Sequence, residues 1–516
     1  MKTKHCILMV VDALAHRIVA QQFRGGQLPQ LSKLVQLGGR LSPCTSIFPS
    51  ITPAATCSIA TGCYPSEHGI EGACWFDRDN QEAAFFGDDL QVAWQQGLHR
   101  YLVDFGDRLN FERLCQPTVF ERLHERGIDS ACVNYMWFAG PHMHKRSTPL
   151  LLRMVAGKLP NTVRGPRYLK LGDFVETLPE GVSSVGSQGM FRKYGFDDRG
   201  TSKCLLKLAK SDALPPFTLA YFPNNDDASH EVGPQAAATQ VLDAFDDFLG
   251  QWVDALGGWQ RFGDDIELLI VGDHGQNGFD SQSPERIKID ECLKGFQQAQ
   301  FGKGWQAGDE LFVCPNMRAT AIYLRQESEP LRSSLVHKLL QVPEIDQVIF
   351  ILPTGGWRIE TADRGSLSFR RGDDAADADA IDEYGNAWMI DGELTTIDAR
   401  LGENKGLRYG IYPNALERVA GANFVDSSPI WITARAGSEF EIRETSTHPG
   451  GSHGALYVDD SAAALITTAG VPLESLACPA HPRITDIVDL VLKTLQGSVR
   501  STAASSHTRH EEHRLL

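Results

Sequence analysis

Apolar residues in this chain fall into two arrangements. Short unbroken runs form one class: HCILMVVDA (5–13), IDSACVNYM, PPFTLAYFP (215–223), IELLIVGDHG (266–275), ATAIYLR and IDQVIFIL. Such runs predict strands buried on both faces. Helically spaced stretches form the other: LPQLSKLVQLG (28–38), TVFERLHERG (118–127), GPQAAATQVLDAFDDFLGQWVDAL (233–256), PLRSSLVHKLLQV and ITDIVDLVLKTL. Strands alternating with helices predict an α/β fold, a doubly wound, mostly parallel sheet with helices on both faces. Ligands of such sheets gather beyond the carboxyl ends of the strands.

Segments 78–115, 140–200 and 355–440 lack this regularity and are rich in Gly and charge. They read as cap segments inserted into a single catalytic domain spanning 1–496, with 497–516 as a disordered tail. RRGDDAADADAIDEYGN (370–386) reads as an acidic solvated loop, since its Gly and Glu spacing fails a calcium loop.

Composition narrows the function. The 516 residues carry a formal charge of −16, which excludes a nucleic-acid polymer bound through a basic surface. An anionic small molecule held by metal ions stays open. CILMVVDALA is interrupted by Asp12, so no membrane span is expected, and the basic start lacks a cleavage site. A cytoplasmic protein is expected. Eleven cysteines with no CxxC pair suggest reduced thiols.

Four segments share a feature: a metal-type ligand at or just after an apolar run. Asp12 follows CILMVV, Asp226 and His230 follow TLAYFPNN, Asp273 and His274 follow ELLIVG, and His453 sits in HPGGSHGALYV. Three Asp and three His suit zinc or a similar ion. Six ligands exceed one tetrahedral site and fit two ions about 4 Å apart. Thr52-Pro53, in FPSITPAATCSIATGCYPSEHGI, has two readings. Thr caps a helix and Pro suits its first position. Alternatively, Thr52 is a nucleophilic hydroxyl at the positive helix end, where an anion would sit.

These segments resemble the nucleotide pyrophosphatase/phosphodiesterase family of the alkaline phosphatase superfamily. The Thr52 segment, the Asp-x-x-x-His then Gly-Pro of DDASHEVGP, Asp273-His274-Gly275, the late GSHG at His453 and the early strand acid Asp12 occur in the family's order. The likeness covers roughly 1–75, 115–135, 210–280 and 440–495. It implies an alkaline-phosphatase-like core. It implies one ion on Asp226, His230 and His453, and another on Asp12, Asp273 and His274, the expected species being Zn2+, with Mn2+ or another divalent ion as the alternative. Thr52 would face the second ion and form a phospho-threonine. The activity implied is hydrolysis of a small-molecule phosphate ester, as a phosphodiesterase or nucleotide pyrophosphatase. A phosphomonoesterase or a phosphonate (C–P) hydrolase would use the same ligands. A catalytically weak anion-binding member is the reading from another class.

One position departs from the family. An Asn commonly stands three residues after the nucleophile, as a donor to a phosphoryl oxygen, where this chain has Ala55. Asn225, His448 and Arg443 are candidates to replace it. Asp227 is a candidate to orient a ligand His, and His68 reads as structural. GGSHG fits the nucleophile elbow of α/β-hydrolases, but ALYVDD after it reads as strand where that motif needs a helix. Cys57-Ser-Ile-Ala-Thr lacks the sulfatase pattern. Trp75-Phe76, Tyr135 to Phe138 and Trp357 would stack on a nucleobase, pack a lipid chain or pack a cap core.

Overall fold

The computed structural model of the chain describes residues 4–78, 80–86, 103–148, 160–279, 285–300, 304–422, 429–445 and 447–496. The expected tail and parts of all three cap segments lie outside these residues.

Four of the apolar runs, HCILMVVDA, IDSACVNYM, PPFTLAYFP and IELLIVGDHG, build the middle of an eight-stranded central sheet, whereas ATAIYLR and IDQVIFIL go to a second, antiparallel sheet. The order of the central sheet is Arg40–Thr45, Ala462–Thr467, Ile266–Val271, His5–Val11, Phe217–Phe222, Ser130–Val133, Tyr168–Leu171, Val175–Thr177. The five strands from Ile266–Val271 to Tyr168–Leu171 run parallel, and the outer strands are antiparallel. The first strand shows why its run is unbroken. Cys6, Leu8 and Val10 pack into one core with the helix Thr52–Thr61. Ile7, Met9 and Val11 pack into a second core with the helices His16–Arg24, Pro29–Gln36, Asp198–Lys210 and Asp243–Ala255. Strand side chains alternate faces, so a strand covered on both sides must be apolar throughout. Burying each such side chain contributes about 1.5–3 kcal/mol, enough to dominate local propensity.

Two expectations change. The long helix expected over 233–256 is Pro234–Ala237, a wider π-helical turn over Ala238–Leu242, then Asp243–Ala255. More consequentially, the region read as irregular at 355–440 is built from strands. Trp357–Glu360, Ser366–Arg371, Ala380–Ile381, Ala387–Gly392 and Ile430–Ala434 join Leu311–Asn316, Ala319–Leu324 and Ile345–Ile351 in a second eight-stranded sheet. Every pairing in it is antiparallel. Ser366–Arg371 alternates buried and half-buried positions and then ends exposed, so its sequence, SLSFRR, resembles a polar loop. Residues 373–377 remain an exposed acidic turn.

Candidate active site

Three adjacent parallel strands end side by side, and each delivers an acid. Asp12 follows His5–Val11. Asp226 and His230 lie one turn apart on the helix Asn224–Val232, which starts just after Phe217–Phe222. Asp273 and His274 follow Ile266–Val271. His453 arrives from the loop after the short strand Gly451–Ser452, which pairs with Asn277–Gly278. That loop is clamped to the Asp273 segment by Asp460. Its carbonyl accepts from Gly275 N (2.9 Å), its carboxylate accepts from Ala455 N (2.8 Å), and it forms a fully buried pair with Arg318. Gly275 admits no side chain, because a Cβ there would collide with the Asp459 carbonyl.

The six side chains form two groups. In one, His230 Nε2 lies 3.1 Å from Asp226 Oδ2, and His453 Nε2 lies 3.6 Å from Asp226 Oδ1. In the other, His274 Nε2 lies 3.5 Å from both Asp12 Oδ1 and Asp273 Oδ2. Within each group the donor atoms all fall within 4.8 Å of one another. The groups touch where the rings of His274 and His453 stack, with centroids 3.7 Å apart.

Each histidine is oriented the same way. The Nδ1 of His230, His274 and His453 donates to the backbone carbonyls of Gly451 (2.9 Å), Gly275 (2.8 Å) and Ser50 (2.8 Å). A carbonyl can only accept, so Nδ1 carries a proton and Nε2 faces the site, as the lone-pair nitrogen whenever the ring is neutral. Asp273 is held similarly: its Oδ1 accepts from Ala13 N (3.1 Å) and His274 N (3.0 Å). Asp226 Oδ1, His230 Nε2, Asp273 Oδ2 and His453 Nε2 are buried without a hydrogen-bond partner. Buried polar atoms are ordinarily satisfied. Four orphans on six converging residues fit a pair of cations as the missing partners.

Electrostatics separate the groups. Burial pushes the Asp12 carboxyl well above its ordinary range, and the charges of Asp273 and Asp226 push it further. Burial also raises Asp273, against the pull of His274. Burial acts on Asp226 in the same direction, but His230 and His453 outweigh it and hold that carboxyl far below the usual range. Burial lowers His230, yet Asp226 beside it brings the ring up to about 9. His453 is held well below its ordinary value by burial and by His274.

Thr52 is the first residue of its helix; Ile51 occupies the cap position, and no side chain caps the helix. The capping reading of Thr52 is therefore corrected. Its hydroxyl points out of the helix, with Oγ1 3.0 Å from His274 Nε2 and 3.5 Å from Asp12 Oδ1.

Family membership follows from the sequence pattern of type I phosphodiesterase / nucleotide pyrophosphatase, which matches residues 6–456. The chain belongs to this family. It is a hydrolase of phosphoester bonds. Among solved structures, phosphonoacetate hydrolase from Sinorhizobium meliloti 1021 in complex with phosphonoformate is 15% identical, covers 96% of both chains and gives a TM-score of 0.56. Murine ectonucleotide pyrophosphatase/phosphodiesterase 5, in an inactive form in complex with AMP, is 12% identical over 96% of this chain and 95% of that one, with a TM-score of 0.54. The human counterpart is 14% identical over the same shares, with a TM-score of 0.53. These likenesses bear on the fold, an alkaline-phosphatase-like α/β core. No described helix is long and apolar enough to cross a membrane.

The remaining expectations divide. His448 is brought to the site: its ring lies 4.0 Å from that of His230, and its Nδ1 is 2.6 Å from Glu439 Oε1. Asn225 is buried with its amide donating to the carbonyls of Asp12 (2.8 Å) and Ala13 (3.1 Å), so it braces the Asp12 turn and has no donor directed at a substrate. Arg443 is exposed. Asp227 orients no histidine; it is half exposed and pairs with Lys193. Ala55 is fully buried in the core. His68 is buried between Ser58 Oγ (3.1 Å) and Ile70 N (3.1 Å), and burial lowers its ring to about 3. Trp75, Phe76, Tyr135, Trp137 and Phe138 are all buried, which corrects the base-stacking reading for them. Tyr135 and Trp137 bond the carbonyl (2.6 Å) and hydroxyl (2.9 Å) of Thr56, four residues beyond Thr52. Trp357 stacks on Phe369.

Sequence reasoning missed Tyr221, whose phenol donates to Asp12 Oδ2. The available signal was a phenol hydroxyl next to the end of FTLAYF, on the strand beside the one that delivers Asp12.

Proposed function

We propose that this chain is a two-metal phosphodiesterase of the nucleotide pyrophosphatase type, with Thr52 as nucleophile. The observation that carries this reading is the position of Thr52 Oγ1, at a helix N-terminus and within reach of His274 and Asp12. Asp226, His230 and His453 would hold one divalent ion, and Asp12, Asp273 and His274 the other. Mixed oxygen and nitrogen donors favour zinc, with manganese as a substitute. Bound there, such ions act as Lewis acids toward the threonine hydroxyl and the phosphoryl and leaving oxygens.

The residues themselves prepare the reaction. Asp12 and His274 fix Oγ1, and the helix start aims its free N–H groups and positive dipole end at the phosphoryl group. Thr52 Oγ1 forms a bond to phosphorus as the bond to the leaving oxygen breaks in line, giving a phospho-threonine that still carries the other ester group, while the proton lost from the threonine hydroxyl ends on the leaving oxygen, which departs as an alcohol. Water then displaces Thr52 from phosphorus, releasing a phosphate monoester and restoring the hydroxyl. His448, steadied by Glu439, stands at the rim as a substrate contact.

The test is a metal-replete assay on an aryl phosphate diester, an aryl phosphate monoester and a phosphonate in parallel, with Thr52→Ala as control. Diester preference, lost in the variant, supports the proposal. Preference for monoester or phosphonate retains the nucleophile and replaces the substrate class. Turnover that survives Thr52→Ala overturns the nucleophile.

A further inference from the structure

A third cluster of metal-type side chains shares no residue with the two catalytic groups. Glu383 sits in the turn between Ala380–Ile381 and Ala387–Gly392 of the second sheet. Cys478 and His481 belong to CPAH, in the loop that leads to the final helix of the core. We propose that Glu383, Cys478 and His481 form a further metal site, which takes a thiophilic divalent ion, zinc foremost, and staples the second sheet to that loop.

Three observations support the site. The thiol, an imidazole nitrogen and a carboxylate oxygen already lie within 4.8 Å of one another. Their turns are held by contacts that do not involve those donor atoms. Asp382 fixes the Glu383 turn by accepting from Tyr384 N (3.0 Å), Asn386 N (2.9 Å) and Trp388 Nε1 (2.8 Å). The other turn is closed by His481 N donating to the Cys478 carbonyl (3.2 Å). Tyr384 Oη then joins the two turns by donating to the His481 carbonyl (2.9 Å). Finally, the donor set is selective: sulfur with imidazole favours zinc over magnesium or calcium. The half-exposed position leaves a fourth coordination place for water.

An ion pair accounts for His481 and Glu383, whose Nδ1 and Oε2 are 2.5 Å apart, but gives no role to Cys478. A cation beside the cluster, Arg483, has its charge compensated elsewhere. It lies over the Tyr384 ring and pairs with Glu417 (2.8 Å) and Asp486 (2.8 Å). On binding, Cys478 becomes a thiolate ligand and its proton goes to solvent, with no change of oxidation state.

Cobalt(II) titration of the full chain tests the proposal. The catalytic groups contain no sulfur, so a cobalt–thiolate charge-transfer band reports only a cysteine-containing site. Wild-type protein should show the band, Cys115→Ser and Thr52→Ala should keep it, and Cys478→Ser should abolish it. No band in wild type, or a band that survives Cys478→Ser, overturns the site. If Cys478→Ser does not fold, His481→Gln decides. It should weaken cobalt binding at the band more than about 100-fold, since losing even an outer partner of a metal ligand costs about 10–100-fold. Unchanged affinity in His481→Gln overturns the site equally.

Discussion

The two groups of the candidate site are built from the same residue types in opposite proportion. Asp226, His230 and His453 provide one carboxylate for two imidazoles, whereas Asp12, Asp273 and His274 provide two carboxylates for one. Without a metal the first group can offset its charge internally, through the ion pair of His230 with Asp226. The second cannot. Two carboxylates under 4.8 Å apart repel by about 3 kcal/mol at an effective dielectric of 20 when both are ionised. Protons or cations must relieve that repulsion, and burial raises both carboxyls accordingly. Thr52 touches the second group. The lesson is a division between the groups: the more anionic one sits at Thr52, the proposed nucleophile, and the more neutral one sits at the other side of the stacked His274–His453 pair.

The sharpest break of this asymmetry is Thr52→Ala. Turnover should fall by at least about 10⁴-fold while metal content, read by elemental analysis, stays unchanged. Next come the ligands. Asp273→Ala and His453→Ala should each lower bound metal and cut activity more than about 100-fold, with Asp273→Ala the more severe because its group holds Thr52. Equal losses would erase the proposed division. Tyr221→Phe is subtler. It removes a donor from Asp12, a charge-assisted bond of about 1.5–3 kcal/mol, so metal affinity at that group should fall roughly tenfold to hundredfold. The Asp226 group should not respond.

The smallest effect is on pH. His230 is raised to about 9 in the metal-free protein, so its proton competes with metal. Loading of that group should strengthen as pH rises toward 9, by up to about tenfold per pH unit. The sign for stability is opposite. A raised histidine stabilises the metal-free fold fully below its ordinary pKa, and this contribution fades as pH rises through about 9. Calorimetric titration and thermal unfolding across pH 6–10 read both effects, and His230→Gln should flatten them.

The catalytic edge was legible because buried parallel strands are apolar throughout, so an acid at the end of one stands out. Asp12, Asp226 and Asp273 each end such a run, and adjacency in the sheet brings them together. The part of the second sheet beyond residue 355 was illegible for the converse reason. Its strands Trp357–Glu360, Ser366–Arg371 and Ala387–Gly392 are short and half exposed, so alternation and charge imitate loops. Asn225 and Asp227 show a finer limit: adjacent polar residues beside a ligand face opposite ways on a helix, one to the Asp12 turn and one to Lys193.

By itself the sequence determined the parallel core, the order of its acids and histidines, and a threonine placed before a proline at a helix start. Those follow from local rules, namely burial periodicity and backbone geometry, which act over a few residues. Only the tertiary structure decided which ligands share a group, which histidine nitrogen faces the site, and that Tyr221 serves Asp12. It also decided that CPAH meets Glu383, almost 100 residues earlier in the chain. Those are long-range distances and carbonyl directions, set by how strands cross and loops return, and no window of the chain encodes them alone.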